Sequence, residues 1–246
     1  MSVRVVVLSL ASDRDRRRTF ATLAQDADVE WSFFDAHTEL SSDLLYDEAR
    51  AVLEKGRALS AGELGAYSSH FTVWRQLLDD ECDAYVVLED DVVADWCFLE
   101  ALDPTNADLA DVDFVRLYVK NLTPHVVRRR PFIDRSRALI ELLDLSFGSQ
   151  AYYIAKPAAA RLVKCSQAID RPVDDQMSRF WVHGIPNFAV FPAPVFERSS
   201  DSRIGSERFA AEGLPTATSL AQKGRRAEDA LRKRMVRTAR RVRGPL

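Results

Sequence analysis

A chain of 246 residues, 47% hydrophobic and 29% charged, has enough apolar material for one large α/β domain or two small ones. No stretch approaches the ~20 apolar residues of a transmembrane helix, and the run Val5–Leu10 is too short for a signal-peptide core. The net charge of −3 gives no overall basic footprint, but from Ala221 to Leu246 ten lysines and arginines oppose Glu228 and Asp229, a local +8 that leaves −11 on the rest. Cys82, Cys97 and Cys165 are odd in number and widely spaced, which disfavours a paired zinc or redox motif and fits reduced thiols in a cytosolic protein.

In chain order, Val3–Leu10 reads as a buried strand, followed by a helix over Arg14–Gln25 capped by Ser12 or Asp13. Trp31–Phe34 is a second strand ending at Asp35. The segment 36–60 has weak helical pattern. Ser60 and Glu63 have the spacing of a capping box, opening a helix to about Leu78. Ala84–Leu88 is a strand that ends in Glu89, Asp90 and Asp91, and Asp113–Tyr118 is another strand. The polar, basic, Pro-containing stretch Lys120–Ser136 predicts a long loop or lid. Gly148–Ile154 is a strand after a glycine, and Pro157 suits the first turn of a helix to Cys165. A helix is expected over Gln176–Trp181 and a strand over Asn187–Phe191. Residues 199–218 read as loosely structured, and 227–242 as a helix with Leu231, Met235, Ala239 and Val242 at helical spacing among basic residues. The alternation of strands and helices predicts a mainly parallel sheet covered on both faces.

Three adjacent carboxylates at the end of an apolar strand repel one another and resist burial without a compensating cation. In an extended chain Glu89 and Asp91 share a face, so the pair can hold one divalent cation while Asp90 points elsewhere. The competing reading is a strand end whose acids cap the next helix. Asp174 and Asp175 follow Pro172-Val173 and read either as first-turn helix acids or as a general base. His70, mid-helix near Tyr67 and Trp74, has a packing or a functional role. One of Arg14, Arg16, Arg17 and Arg18 is placed to contact a diphosphate bidentately, and the competing reading for at least two of them is a solvated helix face. The lack of a His-x-x-x-His pair, a dinucleotide glycine loop and a Walker loop disfavours zinc hydrolases, Rossmann dehydrogenases and P-loop kinases. The basic amphipathic tail reads as an element for an anionic membrane surface, and its lack of aromatics argues against nucleic acid.

Seven blocks in order resemble glycosyltransferase family 25, which includes bacterial lipooligosaccharide galactosyltransferases and the related collagen galactosyltransferases. They are Val7-Leu8-Ser9-Leu10-Ala11-Ser12 with Arg16-Arg17; Phe33-Phe34-Asp35-Ala36; Gly62 to His70 with Trp74; Val87-Leu88-Glu89-Asp90-Asp91; Phe114-Val115-Arg116-Leu117; Gly148 to Ile154; and Pro172-Val173-Asp174. Ala66 stands where the family often has Cys, and Ser149 where Thr is common. The resemblance implies a GT-A type, Rossmann-like fold, a UDP-sugar donor (galactose foremost), a divalent metal (Mn2+ or Mg2+) and inversion of the anomeric centre. It places Glu89 and Asp91 on the metal and diphosphate, Ser9, Leu10 and Asp35 near the nucleoside, and Asp174 near the acceptor. Asp90, Arg116 and Ser149 join the donor-binding set, and Asp175 and His70 stand as further candidates. The expected acceptor is a saccharide or lipid-linked saccharide of lipopolysaccharide or another surface glycan. Residues 1–198 are expected to form the transferase domain, and 199–246 a polar linker and basic tail. The expected place is the cytoplasm, peripheral on the inner face of the cell membrane. Rival readings are a metal-dependent phosphohydrolase or nucleotidyltransferase, and a non-catalytic membrane-associated family member.

Overall fold

Strand β1 (Val3–Ser9) pairs in parallel with β2 (Trp31–Asp35) on one side and β4 (Ala84–Glu89) on the other. A computed structural model describes residues 2–198 and 220–242 of the chain. The other strands are β3 (Leu45–Tyr46), β5 (Val92–Ala94), β6 (Phe114–Arg116), β7 (His125–Arg129), β8 (Ala138–Leu142), β9 (Ala151–Ala155), β10 (Ala168–Ile169), β11 (Phe188–Phe191) and β12 (Val195–Glu197). The central sheet has the order β2-β1-β4-β9-β6-β11-β8-β7. Strands β2, β1, β4, β6, β11 and β7 run one way, and β9 and β8 run against them. The predicted mainly parallel α/β sheet is thus observed, with antiparallel strands inserted in its second half.

Alternate residues of β1 and β4 feed two cores. Val6, Leu8, Tyr85 and Val87 pack on one face, under helices α3 (Ala61–Asp79) and α5 (Lys156–Cys165). Val5, Val7, Val86 and Leu88 pack on the other, under α1 (Arg14–Leu23) and α4 (Trp96–Glu100). A strand buried on both faces must be apolar at every position, which is why these runs do not alternate. Register does the rest: Ser9 lies opposite Asp35 and Leu8 opposite Glu89, so the parallel strands discharge their polar ends at one edge of the sheet.

The structure corrects two expectations and fills in a third segment. The presumed loop 120–136 contains β7, paired with β8 at the sheet's far edge. Its basic residue Arg128 is buried because Glu141 of β8 takes its charge. The single helix expected over 176–181 is two short ones, α6 (Val173–Ser178) and α7 (Phe180–His183), broken at Arg179. Within 36–60, β3 is followed by α2 (Glu48–Lys55), capped by Asp47. The segment read as loosely structured, 199–218, lies outside the described residues.

The basic tail forms α8 (Leu220–Val242), and it packs on the body. Asp229 accepts from Arg179 and Trp181, Lys233 and Arg237 pair with Asp144, and Arg240 pairs with Glu141. Positions 229, 233, 237 and 240 share one side of a helix. On another side Leu231, Met235 and Val242 are 60%, 66% and 81% exposed. Among the described residues no helix is long and apolar enough to cross a membrane.

Candidate active site

The acids at the end of β4 are divided by their partners. Glu89 is the last strand residue, and the chain turns at Asp90 and Asp91 before entering β5. The alternation expected of an extended chain therefore does not govern this triad. Asp90 is buried: Ser9 Oγ donates to its Oδ2 at 2.6 Å, and Arg16 Nη2 lies 2.9 Å from its Oδ1. The same Arg16 nitrogen is 2.8 Å from Asp91 Oδ2. Asp91 Oδ1 is buried and has no hydrogen-bond partner. Glu89 Oε1 accepts from Ser149 Oγ at 2.7 Å and faces His70 Nε2 at 3.6 Å.

These contacts set the acidities. Burial first, and then the Glu89 charge, push the Asp91 carboxyl up to about 6, with Arg16 opposing. Burial also raises Asp90, against Ser9 and Arg16. Burial works to raise Glu89 too, but His70, Ser149 and Arg16 outweigh it, and that carboxyl sits below its ordinary value. A buried, unpartnered carboxylate oxygen beside a second ionised carboxylate is suited to a divalent cation. No cluster of three or more His, Cys, Asp or Glu side chains converges on one point among the described residues. The donor set thus fits a cation that takes one or two carboxylates from protein and the rest from phosphate or water, rather than a closed protein cage.

Loop residues 148 and 149 join this site to the second acidic motif. Ser149 is on Glu89, while Gly148 N–H donates to Asp174 Oδ2 at 3.4 Å. Asp174 is partly exposed, and Asp175 N–H donates to its other oxygen at 2.9 Å. Asp175 points away, buried in an ion pair with Lys55 of α2. Of the two carboxylates, Asp174 is thereby the one left open to solvent.

Other expected residues act as supports. Arg17 Nη2 donates to Ser9 O at 2.8 Å and to Asp35 Oδ1 at 2.6 Å, with its guanidinium 4.8 Å above the Phe33 ring. The Asp35 side chain is 72% exposed, leaving it open beside the β1 end. The Leu10 carbonyl accepts from Asp13 N–H and starts the turn into α1. Arg116 does not reach a ligand position: it is buried, donating to Asn187 Oδ1, Gly148 O and Ser178 Oγ. It anchors the 148 loop to α6 and β11.

Several residues escaped the sequence reading. Tyr118 Oη donates to Glu197 Oε2 at 2.8 Å, and Arg198 N–H donates to the Asp91 carbonyl at 2.7 Å. The β12–β5 pairing brings these distant residues beside the triad. Tyr152 lies under Glu89 through His70, and only its place in a strand was legible.

A two-faced α/β sheet with its acids outside the carboxyl end of a central strand puts this cluster at the edge where open α/β sheets bind their ligands. Residues 3–177 match the model of Glycosyltransferase family 25 (LPS biosynthesis protein), and the chain belongs to that family. Among its relatives is procollagen galactosyltransferase 2 of Homo sapiens, 30% identical over 109 residues, 44% of this chain and 17% of the relative. Procollagen galactosyltransferase 1 of Danio rerio is 24% identical over 157 residues, 57% of this chain and 26% of the relative. A protein of Bos taurus named probable inactive glycosyltransferase 25 family member 3 is 29% identical over 218 residues, 76% and 35%. The chain thus spans well under half the length of these relatives. The solved galactosyltransferase LgtC, in complex with donor and acceptor sugar analogs, is 13% identical with a TM-score of 0.37 over 86% of this chain and 97% of that one. That likeness is too slight to carry an argument.

Proposed function

We propose that this protein transfers a hexose, galactose foremost, from a UDP-sugar to a hydroxyl of a saccharide or lipid-linked saccharide, with inversion and with the help of Mn2+ or Mg2+. The observation that carries the reading is Asp91 Oδ1, a buried carboxylate oxygen without a donor, beside Glu89 at the carboxyl end of β4. Family membership supports sugar transfer, the names of the relatives support galactose, and the family's description supports a lipopolysaccharide acceptor.

In this mechanism Glu89 and Asp91 would hold the cation, which when bound would supply Lewis-acid stabilisation of negative charge on a diphosphate. Ser9 and Arg16 keep Asp90 fixed, and Arg16 adds a positive charge at the same edge. Asp174 accepts the proton of the acceptor hydroxyl. The hydroxyl oxygen forms its bond to the anomeric carbon from the face opposite the diphosphate. The bond from that carbon to the diphosphate oxygen breaks, and UDP departs with the electron pair.

The reading includes a peripheral place on the inner face of the cell membrane. The exposed stripe Leu231, Met235 and Val242, flanked by exposed Arg232, Arg234 and Arg241, supports docking on an anionic lipid surface. Lys233, Arg237 and Arg240 are engaged by the body, so the lipid contact falls to the remaining arginines.

The test is incubation with UDP-galactose, UDP-glucose and UDP-N-acetylglucosamine and Mn2+, with and without saccharide acceptors, analysed for product. Transfer that D91N abolishes, with the fold intact by cooperative melting, is the expected result. Wild-type turnover by D91N would remove the cation role, and release of free sugar or sugar phosphate with no acceptor product would indicate a hydrolase.

A further inference from the structure

Three buried side chains beside Glu89 touch neither donor nor acceptor in this mechanism: His70, Trp74 and Tyr152. His70 and Trp74 stand one turn apart on α3 and face Tyr152 of β9 across the core. The Trp74 indole is a donor only, and its Nε1–H donates to Tyr152 Oη at 2.9 Å. The same oxygen lies 2.8 Å from His70 Nδ1. With the indole proton on one side of the hydroxyl, the hydroxyl's own proton goes to Nδ1. An imidazole that accepts at Nδ1 carries its proton at Nε2. That nitrogen is the one facing Glu89 Oε1, at 3.6 Å. The other tautomer would strand the tyrosine proton in a dry interior and aim a nitrogen lone pair at a carboxylate.

Ser149 Oγ donates to the same Glu89 oxygen at 2.7 Å. Both protein groups on Glu89 therefore meet Oε1, and Oε2 is left for an incoming ligand. The 3.6 Å separation is longer than a hydrogen bond, and contacts of this kind commonly tighten when the ligand arrives.

We propose that Trp74, Tyr152 and His70 form a positioning chain that fixes the His70 tautomer and, through it, holds Glu89 with Oε2 presented to the divalent cation. The inference rests on the cation reading given above. Such outer partners of a metal ligand orient it and commonly govern its affinity for metal about 10- to 100-fold.

Two measurements test it on the full chain. Nitrogen-15 spectra of the metal-free wild type are expected to show His70 protonated at Nε2, and protonation at Nδ1 would overturn the chain. Electron paramagnetic resonance titration of Mn2+ in the presence of UDP is expected to show Y152F and H70L weakened by about tenfold or more. H70Q, whose amide can donate from near the place of Nε2, should stay closer to the wild type than H70L. Cooperative melting selects the variants that fold, and the His70 pair decides the matter where Y152F does not. Equal Mn2+ affinity in wild type, Y152F and H70L would overturn the positioning role. A wild type that binds no Mn2+ with UDP would instead overturn the cation reading and with it the role of Oε2, whereas the tautomer spectrum stands independently of metal.

Discussion

Replacing Gly148 with alanine should damage stability and the site together. Gly148 has φ +107°, a conformation that costs an L-residue roughly 1–3 kcal/mol. A Cβ there would lie 2.7 and 2.9 Å from Tyr118 ring carbons and 2.8 Å from Gln150 Oε1. The ring cannot swing aside cheaply, because its hydroxyl is committed to Glu197. Overpacking of this kind adds about 1–3 kcal/mol. The sum, about 2–6 kcal/mol, corresponds to a drop in melting temperature of roughly 5–20 °C for a domain of this size. Gly56, at φ +83°, has nothing within 4 Å of a built Cβ, so G56A carries the backbone cost alone, about 1–2 kcal/mol. Calorimetry of G148A, G56A and wild type separates the contact from the conformation. Relief of the contact would also shift the backbone that donates to Asp174 and the neighbouring Ser149 that donates to Glu89. Turnover in G148A is therefore expected to fall at least about tenfold, since small misplacements of reacting groups cost up to about a hundredfold. A melting temperature within about 2 °C of the wild type would refute the packing argument, because it corresponds to less than about 1 kcal/mol.

The buried charges give further expectations. Burial holds His183 down at about 3, with Ile185 N–H donating to its Nδ1 and Met177 O accepting at Nε2. Because the folded value lies below the ordinary one, the unfolded chain binds a proton that the native protein refuses. This contribution is complete above the ordinary histidine range and is lost as pH falls toward 3, at up to about 1.4 kcal/mol per unit. Denaturant titrations at pH 7.5, 6 and 5 should show a steeper loss in wild type than in H183Q, and parallel slopes would contradict it. Glu141 is shared by buried Arg128 and by Arg240 of α8. E141Q should destabilise the fold by roughly 1–3 kcal/mol, because it removes the buried carboxylate that the two arginines share, and should speed hydrogen exchange in α8. Unchanged exchange in α8 would show that the pair does not hold the helix. For membrane docking, the L231S/M235S variant should bind anionic liposomes more weakly than wild type with no loss of melting temperature, since both side chains are exposed. Equal binding would exclude the stripe as the contact.

The legible parts of the fold were those set by local chemistry. The capping box formed as spaced: Glu63 N–H donates to Ser60 Oγ at 3.2 Å and Ser60 N–H to Glu63 Oε2 at 3.0 Å. The apolar runs of β1 and β4 were legible because both faces of each are buried. What failed depended on distant partners. Arg128 made its segment look like a solvated loop, yet its compensating acid is 13 residues away and the helix that completes the pair is 112 away. Arg179 interrupts the helix after Asp174, and it answers to Asp229 of α8, 50 residues on. The site showed the same division. Its acids were visible, but the turn at Asp90, the burial of Arg116 and the Tyr118–Glu197 contact follow from strand pairing that one sequence does not display.

The charge balance at the triad explains why its three acids are not equivalent. Arg16 brings one positive charge, and a single nitrogen of it meets both Asp90 and Asp91. Asp90 has Ser9 as a second donor, so it is satisfied without a ligand. Glu89 has Ser149 and the facing imidazole, and its carboxyl stays low. Asp91 has Arg16 alone on one oxygen and nothing on the other, and burial lifts its carboxyl to about 6. The residual negative charge of the site thus collects on the carboxylate least supported by protein. On the proposed reading, that is where a cation gains most by binding, and a diphosphate arriving with it restores neutrality at the end of β4. On the same reading Asp174, outside this balance and tied to it only through Gly148, is the carboxylate that serves the acceptor.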